Sequence, residues 1–179
     1  MNDLAGNIAP QEMARLTVES FIREGIILPA PANPQGILAE RAGTFVTLRS
    51  SDGQLRGCIG TIEPMCKTVA HEIIQNAISA ATHDPRFPPV RVDELPGLSY
   101  GVDVLSVPER VKGVEDLDPQ QFGVIIETMD GRRRGLLLPR IETINTAQEQ
   151  WLAVHLKAGI RPGTPVRVER FTVTRFGKD

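Results

Sequence analysis

The sequence predicts an α+β protein on a largely antiparallel sheet, and three observations carry that prediction. Three stretches repeat apolar residues at helical spacing, and five or more others read as strands. Short turn clusters, Ser50-Ser51-Asp52-Gly53 and Met129-Asp130-Gly131-Arg132, join two pairs of those strands. Connections this short force antiparallel neighbours, because a parallel pair needs a long crossover. The 179 residues suffice for one domain with a sizeable core, expected to span 1–179 with 1–12 and 177–179 as flexible ends.

Taken in order, Pro10 to Glu24 reads as a helix: Ala14, Val18, Phe21 and Ile22 recur at helical spacing, Pro10 suits the first turn and Gly25 supplies the stop. Ile26 to Pro34 holds Pro29, Pro31 and Pro34, which cannot donate to a ladder, so this segment is expected to cross the surface extended. Thr44 to Arg49 is rich in β-formers and leads through its turn into a second strand over Gln54 to Ile62. Glu63-Pro64 breaks that strand. Val69, Ile73, Ala77, Ile78 and Ala81 then mark one face of a helix from about Cys66 to Thr82. In His83-Asp84-Pro85-Arg86-Phe87-Pro88-Pro89 the prolines forbid helix and fix a rigid loop.

Leu98 to Leu105 alternates, with Leu98, Tyr100, Val102 and Val104 on one face and Asp103 on the other. Phe122 to Thr128 and Arg134 to Leu138 form the second hairpin. Thr146 and Glu149 make a capping box for a helix that carries Ala147, Trp151, Leu152, His155 and Leu156 and stops at Gly159. Along Val166 to Phe176 the apolar positions pass from even to odd. That predicts a bulge or a switch of sheet near Glu169-Arg170.

Charged residues at 23% and hydrophobic ones at 41% are the balance of a globular protein. With net charge −2, one Trp, one Tyr and six Phe, the chain lacks the basic, aromatic-studded character of a nucleic-acid binder. Arg132-Arg133-Arg134 reads as a solvated turn. No run approaches the roughly 20 apolar residues of a membrane helix, and Met1 to Met13 has no signal-peptide core. A cytoplasmic location is therefore expected, with Cys58 and Cys66 reduced. His71-Glu72-Ile73-Ile74-Gln75 has Gln75 where a metalloprotease motif needs its second histidine. Neither that segment nor the histidine and cysteine spacing elsewhere points to a metal or cofactor.

The stretch richest in chemistry is Gln54-Leu55-Arg56-Gly57-Cys58-Ile59-Gly60-Thr61-Ile62. As a strand it sets Leu55, Gly57 and Ile59 on one face and Arg56, Cys58 and Gly60 on the other. Glycine inside a strand gives up packing, so Gly57 and Gly60 mark a place where another backbone or a ligand comes close. Arg56 is the nearest cation able to favour the thiolate of Cys58; the plainer alternative is a small buried hydrophobe. Cys66, expected at a helix N-terminus, has a macrodipole to favour its thiolate.

Arg56-Gly57-Cys58-Ile59-Gly60 resembles the signature of the AMMECR family, whose prokaryotic members are called AmmeMemoRadiSam system protein A. The resemblance continues in order through Thr61-Ile62-Glu63-Pro64, Asn76-Ala77-Ile78, Asp84-Pro85-Arg86-Phe87-Pro88-Pro89-Val90, Val102-Asp103-Val104-Leu105-Ser106, Gly123-Val124-Ile125, Arg134-Gly135-Leu136-Leu137-Leu138-Pro139 and Lys157-Ala158-Gly159. It implies two unequal α/β lobes with a cleft, and association with a Memo-type protein, similar to extradiol dioxygenases, and with a radical S-adenosylmethionine protein.

Two functions fit these residues. In the first, Cys58 is the centre of an enzyme, polarised by Arg56 and served by His83, Asp84 or Glu63. In the second, the chain is a binding module, with Gly57, Gly60, Asp84, Arg86 and Phe87 forming the recognition surface. A purely structural reading pairs Asp84 with Arg86 or caps the preceding helix with them.

Overall fold

The computed structural model describes residues 4–177. Along the chain run α1 (Pro10–Glu24), β1 (Thr44–Arg49), β2 (Leu55–Gly60), α2 (Val69–Thr82), β3 (Ser99–Leu105), β4 (Glu109–Val111), β5 (Gly123–Thr128), β6 (Arg134–Leu137), α3 (Ala147–Ala158), β7 (Val166–Phe171) and β8 (Val173–Gly177). Among the described residues the strands form two four-stranded sheets, ordered β2-β1-β3-β8 and β4-β7-β5-β6. The chain divides into two compact units: Leu105–Val173 is one, and the segments before and after it make up the other.

In the first unit β1 runs antiparallel to both β2 and β3. Alternation sends Val46, Leu48, Tyr100, Val102 and Val104 to one face, where Met13, Ala14 and Val18 of α1 and Val69, Ile73 and Ala77 of α2 complete the core. Each fully buried Leu or Ile there contributes about 2 kcal/mol. α1 begins on Pro10 and ends at Gly25, whose left-handed φ of 69° turns its N–H back to the Phe21 carbonyl. Leu4 joins this core. Of the ends expected to be flexible, 1–3 and 178–179 lie outside the described residues.

α2 starts at Val69, three residues later than its apolar periodicity predicts. Buried Glu72 takes the backbone N–H groups of Met65 and Cys66, which holds that segment in an irregular loop.

In the second unit β7 pairs antiparallel with β4 and β5, and β5 with β6. α3 lies against β5 and β6, with Val124, Ile126, Leu137, Val154 and Val168 in the core. The capping box forms: Thr146 Oγ1 accepts the Glu149 N–H at 3.2 Å, and Glu149 Oε2 accepts the Thr146 N–H at 3.0 Å. The buried residues of α3 are Gln150, Val154 and His155, whereas Leu152 and Leu156 are exposed.

The phase change in the last strand is a switch of sheet at Thr172. β7 belongs to the second sheet and β8 to the first. Thr172 itself is held by Ser106, whose N–H donates to its carbonyl at 2.9 Å and whose Oγ accepts its N–H at 3.0 Å. Among the described residues no helix is long and apolar enough to cross a membrane.

Candidate functional site at the edge of the second strand

β2 is the outermost strand of its sheet, with β1 on one side only. In an antiparallel ladder alternate residues turn their N–H and C=O outward, and Cys58 is one of these. Two residues of the proline loop meet them. Asp84 Oδ2 accepts the Cys58 N–H at 2.8 Å, and Arg86 Nη2 donates to the Cys58 carbonyl at 3.3 Å. The ion pair thus takes the place of a neighbouring strand at this one rung and closes an otherwise open edge.

Asp84 is buried and fully occupied. Its oxygens also accept from Arg86 N at 3.0 Å, Nε at 2.9 Å and Nη2 at 2.7 Å. The guanidinium holds the Asp84 carboxyl well below the usual carboxylate range, with the Cys58 and Arg86 N–H groups adding to the effect against the opposing pull of burial. Arg86 is correspondingly more basic. The Cys58 thiol accepts a hydrogen bond from its cross-strand partner, Thr47 Oγ1, at 3.3 Å.

Arg56 shares the strand with Cys58 but is tied elsewhere. Its Nε and Nη2 grip Glu94 at 2.7 and 3.0 Å, and Nη2 reaches the Pro89 carbonyl at 3.4 Å. This contact lowers the Glu94 pKa, with the Arg91 N–H assisting. The guanidinium hydrogen-bonded to Cys58 is therefore that of Arg86. Phe87 lies under both, 5.9 Å from Arg56 and 5.5 Å from Arg86.

The close approach that the glycines permit comes from the protein itself. A Cβ on Gly57 would sit 2.2 Å from the Ala80 carbonyl of α2, and one on Gly60 would lie 2.3 Å from the Phe45 ring. His83 stands at the end of α2 with Nδ1 2.6 Å from Thr82 Oγ1, exposed, and makes no hydrogen bond to Cys58 among the described residues. Glu63 is exposed in the bend after β2. Of the residues singled out from sequence, the structure brings Cys58, Asp84 and Arg86 together directly and adds Arg56 and Phe87 beside them.

Sequence reasoning missed three partners: Thr47, Glu94 and Glu72. Glu72 also accepts from Thr61 Oγ1 at 2.7 Å and Asn76 Nδ2 at 3.4 Å. One available signal was that Glu72 and Asn76 lie one turn apart and next to the Val69–Ile73 stripe. Glu72 also reverses the expectation for Cys66: burial first, then the carboxylate's charge, push that thiol up, and its Sγ lies 3.1 Å from Gln75 Oε1. Among the described residues no three His, Cys, Asp or Glu side chains gather as a metal site requires.

Fold and site together define a class: a two-sheet α+β protein whose edge strand carries a glycine-flanked cysteine clasped by an Asp-Pro-Arg-Phe loop. The AMMECR1 family matches residues 11–178, and the chain belongs to that family. A protein of Thermotoga maritima is 49% identical over 161 residues, 89% of this chain and 91% of that one. Protein CA_C1420 of Clostridium acetobutylicum is 47% identical over 135 residues, 75% of this chain but 28% of that longer one. The crystal structure of the uncharacterized protein PH0010 from Pyrococcus horikoshii superposes with a TM-score of 0.85 at 31% identity, covering 95% of this chain and 90% of its own.

Proposed function

We propose that this chain is a recognition module that docks a protein partner through the proline loop beside Cys58, with Arg86 and Phe87 as the contact residues. One observation carries the reading: Arg86 is locked by its buried partner Asp84 yet leaves 53% of its side chain exposed. A cation fixed in advance loses little freedom on binding, which is the economy that recognition surfaces use. The partners expected are the Memo-type and radical S-adenosylmethionine proteins of the AmmeMemoRadiSam system. The Clostridium acetobutylicum relative, in which the matching region is 28% of a longer protein, supports a module that works joined to other protein.

A second reading, a cysteine-centred enzyme, draws on the half-buried Cys58 thiol between its glycines, with the Arg86 guanidinium held at the Cys58 carbonyl. Titration calorimetry with a purified Memo-type protein separates the two. Recognition predicts at least tenfold weaker binding for Arg86→Ala and Phe87→Ala and unchanged binding for Cys58→Ser. No heat at any concentration defeats recognition. Alkylation of Cys58 at pH 7 much faster than that of a free thiol selects the enzyme.

A further inference from the structure

α3 carries a stripe that the rest of the chain leaves open. At 3.6 residues per turn Gln148, Glu149, Leu152, Leu156 and the cap residue Gly159 fall within about 100° of arc, and all five are exposed. Leu152 and Leu156 lie one turn apart at its centre and are 58% and 85% exposed.

The ends of the stripe are opposite in charge. At the first turn Glu149 spends Oε2 on the N–H groups of Asn145 and Thr146, which hold its carboxyl below the usual range, and Oε1 has no partner among the described residues. At the last turn Arg133 of the β5–β6 hairpin sets Nη1 on the Gly159 carbonyl, and its Nε and Nη2 have no partner among the described residues. The Asp130 carboxylate, which feels the Arg133 charge, is taken by Thr128 Oγ1 and the Arg132 N–H. A stripe that runs acid, apolar, base is complementary to itself when a second one lies over it in the opposite direction.

We infer that this stripe of α3 is the docking face for a second copy of the chain, packed antiparallel about a two-fold axis between Leu152 and Leu156. Recognition uses the proline loop of the first unit, whereas self-association uses the second unit alone. Leu152 of each copy then meets Leu156 of the other, and Glu149 of each meets the free edge of the other's Arg133. Antiparallel packing also sets each helix N-terminus beside a C-terminus, the favourable sense for their dipoles. An anionic membrane would attract the arginine end and repel Glu149, so it matches only half of the stripe. One 12-residue helix and one turn make a smaller contact than a permanent dimer has, so the association is reversible, with half-dissociation at about 10–100 μM.

Sedimentation velocity of the full chain from about 1 μM to about 1 mM provides the test. A reversible rise from the 19.6 kDa monomer toward twice that mass is expected. Leu156→Glu alters a side chain that stands in solvent and should raise the dissociation constant at least tenfold; Leu152→Gln is the second variant should the first disturb the fold. Glu149→Gln keeps a capping acceptor and removes the charge. It and Arg133→Gln should each weaken the dimer about threefold at low salt, and the double variant should be no weaker than either alone, since both remove the same pair. A monomer at every concentration overturns the docking face, as does a dimer unmoved by both leucine variants. A dimer in which the Glu149→Gln and Arg133→Gln losses simply add overturns the antiparallel arrangement.

Discussion

The Asp84 carboxylate accepts the backbone N–H of Cys58 at 2.8 Å, so the loop after α2 is hydrogen-bonded to the open side of β2. A side chain here performs the work of a strand, and its partner Arg86 completes the rung at the Cys58 carbonyl.

Asp84→Asn should therefore cost about 1–3 kcal/mol at pH 7, at the lower end because the Arg86 side of the pair is half exposed. The folded-state pKa of Asp84 is depressed, so its contribution is full above the unfolded value near ~4 and is lost as pH falls from there through the folded value. Urea denaturation from pH 7 to pH 2 checks this. The gap between the parent and Asp84→Asn should be constant at neutral pH and narrow below about pH 4.

Gly57→Ala should lower stability by about 3 kcal/mol, because its Cβ would lie 2.2 Å from the backbone oxygen of Ala80 and no flexible side chain can yield. Gly60→Ala meets the Phe45 ring and its Cα, at 2.3 and 2.7 Å, and should also destabilise. Thermal melts measure both. An unchanged melting temperature for Gly57→Ala would mean that α2 does not approach β2 so closely.

Glu72→Ala should cost about 3 kcal/mol, since it strands the N–H groups of Met65 and Cys66 and the donors of Thr61 and Asn76 around a fully buried position. Hydrogen exchange should localise the damage, with faster exchange at Met65 and Cys66 and little change in α3.

Cys66 should alkylate more slowly than a free cysteine at pH 8, because burial and then the Glu72 charge keep its proton on. Its pH–rate profile should lie to the alkaline side of a model thiol. Glu72→Gln should move that profile toward lower pH, and a profile matching the free thiol would contradict the assigned cause.

The parts of this molecule that sequence made legible are those decided locally. α1 follows from its spacing, Pro10 and Gly25; the two hairpins follow from their turn residues; the cap of α3 follows from Thr146 and Glu149. The phase break of the last strand was legible as well, though it falls at Thr172 rather than at Glu169-Arg170. What stayed hidden is set by long-range pairing. Arg56 and Cys58 share a strand face, yet Arg56 finds Glu94 38 residues on, and Cys58 finds Asp84 26 residues on. Periodicity carries no information about such partners. β4, three residues long, is too short to express a period at all.

β8 pairs beside β3 at the end of the first sheet, although residues 106–172 intervene between the two strands. During translation the second unit thus emerges complete before the first has its last strand. The flank of β3 stays bare on the nascent chain until β8 has been made. Chains halted after Thr172 should then be prone to self-association through that flank, a hazard that the finished protein has sealed.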